Sequence, residues 1–564
     1  MIVYDKLYIG GRWVAPAVPE PLDMRSPHDR GLLGRAVQAT PADVDRAVAE
    51  ARTAFDAGPW PNTEPEERQH FIERLDAARS ARADEIAALT SAENGTPRWF
   101  ASWGQQALTR QADAFLRAAR SLEWEEPLDP TGAVKTVVRR EPVGVVAAVI
   151  PWNSPYSASL VKMIPALLAG NTVILKTSPE NSLSMMLLAE IFDSLDLPAG
   201  VVSILPADRA TSEHLISHPD VDKISFTGST LAGRRIASIA GEQLKRVSLE
   251  LGGKSASIIC EDADLAAACE GLRFASFANN AENCQAHTRI LAPRSRYDEV
   301  VSALKELVES LVVGDPSHPD TFIGPMISDV QHARVQSYIQ FGIDEGARLV
   351  TGGPETPAGL ESGYYVRPTL FADVDNKMRI AQEEIFGPVL VVIPYDDEDD
   401  AVRLANDSAY GLGGGVWTSD PERGMRIARR IRTGFFMINA APVGFDGPFG
   451  GYKASGVGRE MGAVAWLSSS STRRSTSDPR HANQPDRAEA WKHGSSVRPG
   501  RLPQAQTAGV AELGADSSGC PLVTDGQHRS CTQGLDRHLA AARSKLPVIV
   551  AGSAGATGQL RPAS

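Results

Sequence analysis

From residue 145 onward, short apolar runs alternate with longer stretches of helical spacing. The runs Val145–Ile150, Thr172–Leu175, Val201–Leu205, Ile224–Phe226, Val247–Leu251 and Ser257–Cys260 are largely apolar at consecutive positions. Strands covered on both faces have this pattern. Between them, residues 157–169, 182–195, 211–217 and 231–241 carry helix-like periodicity. Upstream, Thr40-Pro41-Ala42-Asp43 predicts a helix start with a near capping box, followed by Val44, Val48 and Ala51 at helical spacing. Glu64 to Asn94 reads as one long or broken amphipathic helix, ended by Gly95-Thr96-Pro97. Strands buried on both sides and alternating with helices predict a doubly wound parallel sheet. Such a fold takes its ligand beyond the carboxyl ends of its strands. A second alternating stretch, from about 253 to 440, predicts a further α/β domain.

The alternation stops near residue 466. Residues 1–465 carry 45 Lys and Arg against 62 Asp and Glu, while residues 466–564 carry 12 against 7. The second piece opens on a Ser468–Ser471 run and continues without a sustained period. On composition it is expected to be an irregular tail, unable to bury enough apolar surface to offset its ordering entropy. The abrupt change suggests a shifted reading frame or a fusion at about 466, with loss of a closing strand. The formal net charge of the 564-residue chain is -12, which argues against nucleic acid or an anionic membrane as the main partner. No apolar run approaches the roughly 18 residues that span a bilayer. Met1 to Lys6 shows no secretory pattern. The five cysteines have no CxxC spacing, so a reducing cytoplasm is expected and a metal site is not.

Four segments carry candidate chemistry. Cys284 lies in the polar stretch Asn279-Asn280-Ala281-Glu282-Asn283-Cys284-Gln285, an unusual setting for a core cysteine and a favourable one for a thiolate nucleophile. Glu250, in Glu250-Leu251-Gly252-Gly253-Lys254, ends an apolar strand where the sheet opens; its carboxylate suits a general base. Asn153, in Ile150-Pro151-Trp152-Asn153-Ser154-Pro155, places an amide donor just past another strand, as an oxyanion needs. Phe226-Thr227-Gly228-Ser229-Thr230 joins a strand to a helix start, where free N–H groups suit a pyrophosphate.

The order and spacing of these segments resemble the aldehyde dehydrogenase superfamily. Glu250 and Cys284 stand 34 residues apart, and Lys162 follows Asn153 by nine. Lys176 closing its strand, Glu384-Ile385-Phe386-Gly387-Pro388, Pro448–Lys453 and Ser455–Glu460 extend the resemblance across about residues 7–465. It implies an aldehyde dehydrogenase-like fold in parts. These are an NAD(P)-binding Rossmann-like domain at 1–121 and 143–252, oligomerisation strands at 122–142, a catalytic domain at 253–440 and a returning segment at 441–465. It implies oxidation of an aldehyde to a carboxylic acid, with Cys284 as nucleophile, Asn153 at the oxyanion, Glu250 activating water and Lys162 near this relay. It places NAD or NADP against Trp152, Lys176, Gly228, Ser229, Glu384 and Phe386. The partners implied are a small aldehyde and further copies of the chain, as a dimer or tetramer. Competing readings are an NAD-binding homologue with impaired catalysis and a CoA-acylating relative. The sequence departs from the family at Ala281 and Glu282, where Gly-Gln is usual. The first is expected to strain a positive-φ position, and the second to add a carboxylate near the thiol.

Overall fold

All six apolar runs become strands, within two residues of the expected bounds: Val145–Val149, Thr172–Thr177, Val202–Pro206, Lys223–Thr227, Arg246–Glu250 and Ser255–Ile259. The computed structural model describes residues 1–128, 135–439 and 444–477. The helix start at Thr40 forms the expected capping box with Asp43. The 64–94 stretch breaks at Arg82 into helices Pro65–Ala81 and Ala83–Asn94, and the second stops at Gly95 with φ 77°.

Five of the strands make the parallel centre of an eight-stranded sheet. Their spatial order is Arg246–Glu250, Lys223–Thr227, Val145–Val149, Thr172–Thr177, Val202–Pro206. The chain starts in the middle, at Val145–Val149, builds outward to one side and then returns to build on the other. The crevice between Val145–Val149 and Lys223–Thr227 is thus the point where strand order reverses, the place an open α/β sheet offers to a ligand. Antiparallel strands Leu7–Ile9 and Gly456–Val457 pair with the two flanks of this centre.

Alternation within one strand shows why the apolar run is continuous. Val146 and Ala148 join the core beneath helices Pro155–Leu168 and Ser182–Asp193, while Val145, Ala147 and Val149 join the core beneath helix Pro41–Ala57. Each fully buried aliphatic side chain contributes about 1.5–3 kcal/mol. A second, seven-stranded sheet has the order Arg348–Thr351, Thr369–Ala372, Val389–Tyr395, His287–Pro293, Ser255–Ile259, Gly414–Trp417, Met437–Ile438. It is parallel except at Arg348–Thr351.

The end of the described chain corrects the expectation of an irregular tail from 466. Residues up to Ser469 complete helix Gly462–Ser469, and Ser470–Ser477 is a strand. That strand pairs antiparallel with Lys135–Pro142 over its full length, and Glu125–Pro127 pairs on the far side. The closing strand expected to be lost is therefore present. Its serines and threonines have no apolar period, and its order comes from the backbone ladder of its neighbour. Arg246 Nη1 adds a hydrogen bond to the Ser470 carbonyl at 2.7 Å. The expectations for 129–134, 440–443 and 478–564 lie outside the described residues.

Candidate active site

Helix Leu265–Phe277 ends by reversing through three consecutive left-handed residues, Asn279, Asn280 and Ala281, with φ of 56°, 60° and 57°. Asparagine tolerates this region, but alanine pays about 1–2 kcal/mol for it. The positive φ expected at Ala281 is thus found. Side chains hold the turn shut. Asn280 Nδ2 donates to the carbonyls of Gly95 (3.0 Å) and Pro325 (3.1 Å), and its Oδ1 accepts from Gly324 N–H (2.7 Å). Thr96 Oγ1 donates to Asn279 Oδ1 at 2.7 Å.

This turn presents Cys284 to the crevice and points Glu282 away from it. Glu282 is buried, and its Oε1 accepts from Ile327 N–H at 3.2 Å. The expectation that its carboxylate acts on the thiol is corrected. The Cys284 thiol is pushed well above its usual value first by burial, then by Glu250 and Glu384. The backbone N–H groups of Cys284 and Gln285 oppose that shift.

Asn153 follows strand Val145–Val149 and directly precedes Ser154, the residue that starts helix Pro155–Leu168. Its Nδ2 donates to the Glu282 carbonyl at 2.8 Å, and Asn279 Nδ2 donates back to the Asn153 carbonyl at 2.9 Å. One amide N–H is thereby fixed, and the second is left for another acceptor.

Glu250 ends strand Arg246–Glu250 and is 3% exposed. Neither carboxylate oxygen has a well-formed hydrogen bond among the described residues. Its carboxyl lies well above the usual range, because of burial and then the charge of Glu460, with Lys162 and Arg459 opposing. Of the two glycines beyond it, Gly253 is pressed against backbone and Gly252 against the end of the Glu384 side chain. A Cβ on Gly252 would sit 2.3 Å from Glu384 Oε2, and one on Gly253 would sit 2.4 Å from the Cys284 carbonyl oxygen. Gly253 N–H donates to Glu384 Oε1 at 2.9 Å. Burial raises the Glu384 carboxyl to about 7.

Lys162 and Glu460 form a buried ion pair behind this site, and Ser225 Oγ reaches Glu460 at 3.3 Å. Sequence reasoning quoted Glu460 only as part of a motif and did not assign Asn279 a role. The signal for Glu460 was its Arg-Glu pair; for Asn279 it was the doubled asparagine, which favours left-handed backbone.

Trp152, Gly228 and Ser229 follow the two strands that flank the sheet's switch point. The Trp152 and Phe386 rings meet edge to face at 5.3 Å. Gln331 Nε2 holds the Phe386 carbonyl at 2.6 Å. Gly228 N–H donates to the Glu250 carbonyl at 3.0 Å. Ser229 caps helix Thr230–Glu242 through Ala232 N–H. Lys176, near the end of strand Thr172–Thr177, is buried, and burial lowers its ammonium to about 8, against Glu180 and Asp208. His287, buried on strand His287–Pro293, is lowered to about 4 by burial and packs against the space above Gly415.

A cysteine, a buried carboxylate and an amide thus converge beside the crevice at the switch point of an α/β sheet. The chain belongs to the aldehyde dehydrogenase family, which matches it over residues 13–474. It is 44% identical to the geranial dehydrogenase of Castellaniella defragrans over 463 residues, covering 82% of this chain and 96% of that relative. It is 43% identical to a 3-succinoylsemialdehyde-pyridine dehydrogenase of a Pseudomonas species, over 81% of this chain and 95% of the relative. Among solved structures, a Mycobacterium tuberculosis aldehyde dehydrogenase complexed with NAD+ superposes with a TM-score of 0.82 at 46% identity, over 84% of this chain and 98% of that one. A Pseudomonas syringae aldehyde dehydrogenase complexed with NAD+ and octanal gives 0.81 at 39% identity, over 84% and 96%. The family match ends at residue 474. Among the described residues, no helix is long and apolar enough to cross a membrane.

Proposed function

We propose that this enzyme oxidises a small aldehyde to a carboxylic acid with NAD+ or NADP+, through a covalent adduct on Cys284. The observation that carries the reading is the convergence of Cys284, Asn153 and Glu250 at the switch-point crevice. The residues there suit a dinucleotide. Ser229 and Gly228 lie at a helix N-terminus that attracts a pyrophosphate, Lys176 lines the adjacent strand end, and Trp152, Glu384 and Phe386 cluster where a nicotinamide would meet the thiol. The bound cofactor supplies a hydride acceptor.

The chain's own groups do the rest. Glu250 is a stronger base than an ordinary carboxylate because its carboxyl is raised, and it accepts the Cys284 proton. The thiolate sulfur forms a bond to the carbonyl carbon. The free N–H of Asn153 and the backbone N–H of Cys284 hold the resulting oxyanion. When hydride leaves that carbon, a thioester remains on Cys284. Glu250 passes that first proton to solvent and, as a carboxylate again, takes a proton from water, whose oxygen attacks the thioester carbon. The carbon–sulfur bond breaks, releasing the acid and the thiolate. A buried carboxylate beside the thiol supports hydrolysis over transfer to CoA. The proposed setting is the reducing cytoplasm, where a nucleophilic thiol survives. A homodimer or homotetramer belongs to the same reading. The three-stranded sheet with outer strands Glu125–Pro127 and Ser470–Ser477 supports it.

The test is NAD(P)H formation with a panel of aldehydes, with and without CoA. Turnover without CoA, abolished by Cys284→Ala and strongly reduced by Glu250→Gln, is expected. Tight NAD+ binding by the wild type with no reduction of it would favour the impaired homologue.

A further inference from the structure

Asn279 is the first left-handed residue after helix Leu265–Phe277, and it is 3% exposed. Each polar atom of its side chain has a partner. Nδ2 donates to the Asn153 carbonyl at 2.9 Å and to the Glu282 carbonyl at 3.3 Å. Oδ1 accepts from Thr96 Oγ1 at 2.7 Å. The amide has only one workable orientation. Two carbonyl oxygens cannot donate, so its nitrogen faces them and its oxygen faces the hydroxyl. Thr96 is itself buried, and its N–H donates to Asn94 Oδ1 at 3.1 Å.

These contacts close a ring around Asn153. Its Nδ2 and that of Asn279 donate to the same Glu282 carbonyl, and together they occupy both lone pairs of that oxygen. Asn279 then reaches back to the Asn153 main chain. Asn153 lies between strand Val145–Val149 and helix Pro155–Leu168, outside both. Asn279 therefore holds Asn153 at two points, directly at its carbonyl and through the shared acceptor at its amide. Asparagine suits the position twice over. It tolerates positive φ, and its amide supplies two donors and an acceptor at once, where an aspartate would set oxygen against two carbonyls.

We infer that Asn279 is a positioning residue for the oxyanion donor, oriented by Thr96, and that it sets the direction of the one Asn153 N–H left free. The inference rests on the reading that Asn153 holds the oxyanion. A buried asparagine that only satisfied loose carbonyls would support the turn without touching the chemistry. Two reactions of the Cys284 sulfur separate these roles, and neither uses the cofactor. In acylation by p-nitrophenyl acetate, sulfur bonds to the carbonyl carbon, an oxyanion forms and p-nitrophenolate leaves. In alkylation by iodoacetamide, sulfur displaces iodide at a saturated carbon and no oxyanion develops. Only the first needs a well-aimed amide.

The test measures both rates in the full chain for wild type, Asn153→Ala, Asn279→Gly, Thr96→Val and the double variant of Asn153→Ala with Asn279→Gly. Glycine takes the positive φ without strain. Thr96→Val keeps the shape of the orienter and removes only its donor, so it decides the matter if Asn279→Gly fails to fold. Acylation is expected to slow on the order of 10–100-fold in Asn279→Gly and by less in Thr96→Val, with alkylation unchanged in both. The double variant is expected to acylate no more slowly than Asn153→Ala alone, because a residue that acts through another adds nothing once that other is gone. Equal losses in acylation and alkylation, or an additive double variant, overturn the assignment. A loss in Asn153→Ala alone overturns this inference and leaves the proposed reaction standing, whereas a loss in neither overturns both.

Discussion

The Asn153 side chain donates to the Glu282 carbonyl at 2.8 Å, and that carbonyl lies two residues before Cys284, the proposed nucleophile. The proposed oxyanion donor is thus tied by hydrogen bonds to the turn that carries the thiol, although the two come from different sheets. Asn153→Ala removes the donor proposed to hold the oxyanion. A fall in turnover of about 10²–10³ is expected, with KM for the aldehyde changing far less. Steady-state kinetics checks the split, and an equal rise in KM would argue for a merely structural amide.

Ala281 sits at φ 57° between two asparagines and Glu282. Ala281→Gly relieves about 1–2 kcal/mol of steric cost but loosens the unfolded chain by about 0.4–1 kcal/mol. The first effect is the larger. A net gain on the order of 0.5–1 kcal/mol is expected in denaturant unfolding, where a loss would mean that the turn already relaxes around the methyl.

Lys162 and Glu460 are both buried, with side-chain exposure of 0% and 9%. Glu460→Gln leaves the ammonium uncompensated, and a loss of about 3–5 kcal/mol is expected. It also removes the charge that raises Glu250. Both the missing anion and the unpaired Lys162 favour the Glu250 carboxylate, so the acidic limb of the pH–rate profile moves to lower pH. A double variant, Lys162→Met with Glu460→Leu, is expected to unfold less readily than the single one.

Glu384 is raised to about 7 and itself raises the Cys284 thiol. At pH 8 it is mostly ionised. Glu384→Gln removes that negative charge, so the thiol gives up its proton more easily. Faster alkylation of Cys284 by iodoacetamide at pH 8 is expected, measured by the rate of modification.

Much of this arrangement was legible because burial leaves a pattern. Val145 to Val149 is apolar at every position because both faces of that strand are covered. Gly252 and Gly253 could be placed at a strand end, but their reason, backbone pressed against Glu384 and Cys284, depends on a second sheet that no local pattern reveals. Glu282 was misjudged for the same reason. It stands two residues from the sulfur in sequence, and three left-handed residues turn its side chain the other way. Strand Ser470–Ser477 was missed because polar residues take extended form when a neighbouring backbone supplies the ladder.

That last pairing has a bearing on how the chain is made. Ser477 lies opposite Lys135, so the ribbon formed early in synthesis keeps one margin open until nearly everything between has emerged and found its place. Closure then becomes a late checkpoint. A chain cut short before Ser470 would leave that margin free to join a stranger's strand, and quality control in the cell would meet it as an aggregation-prone product.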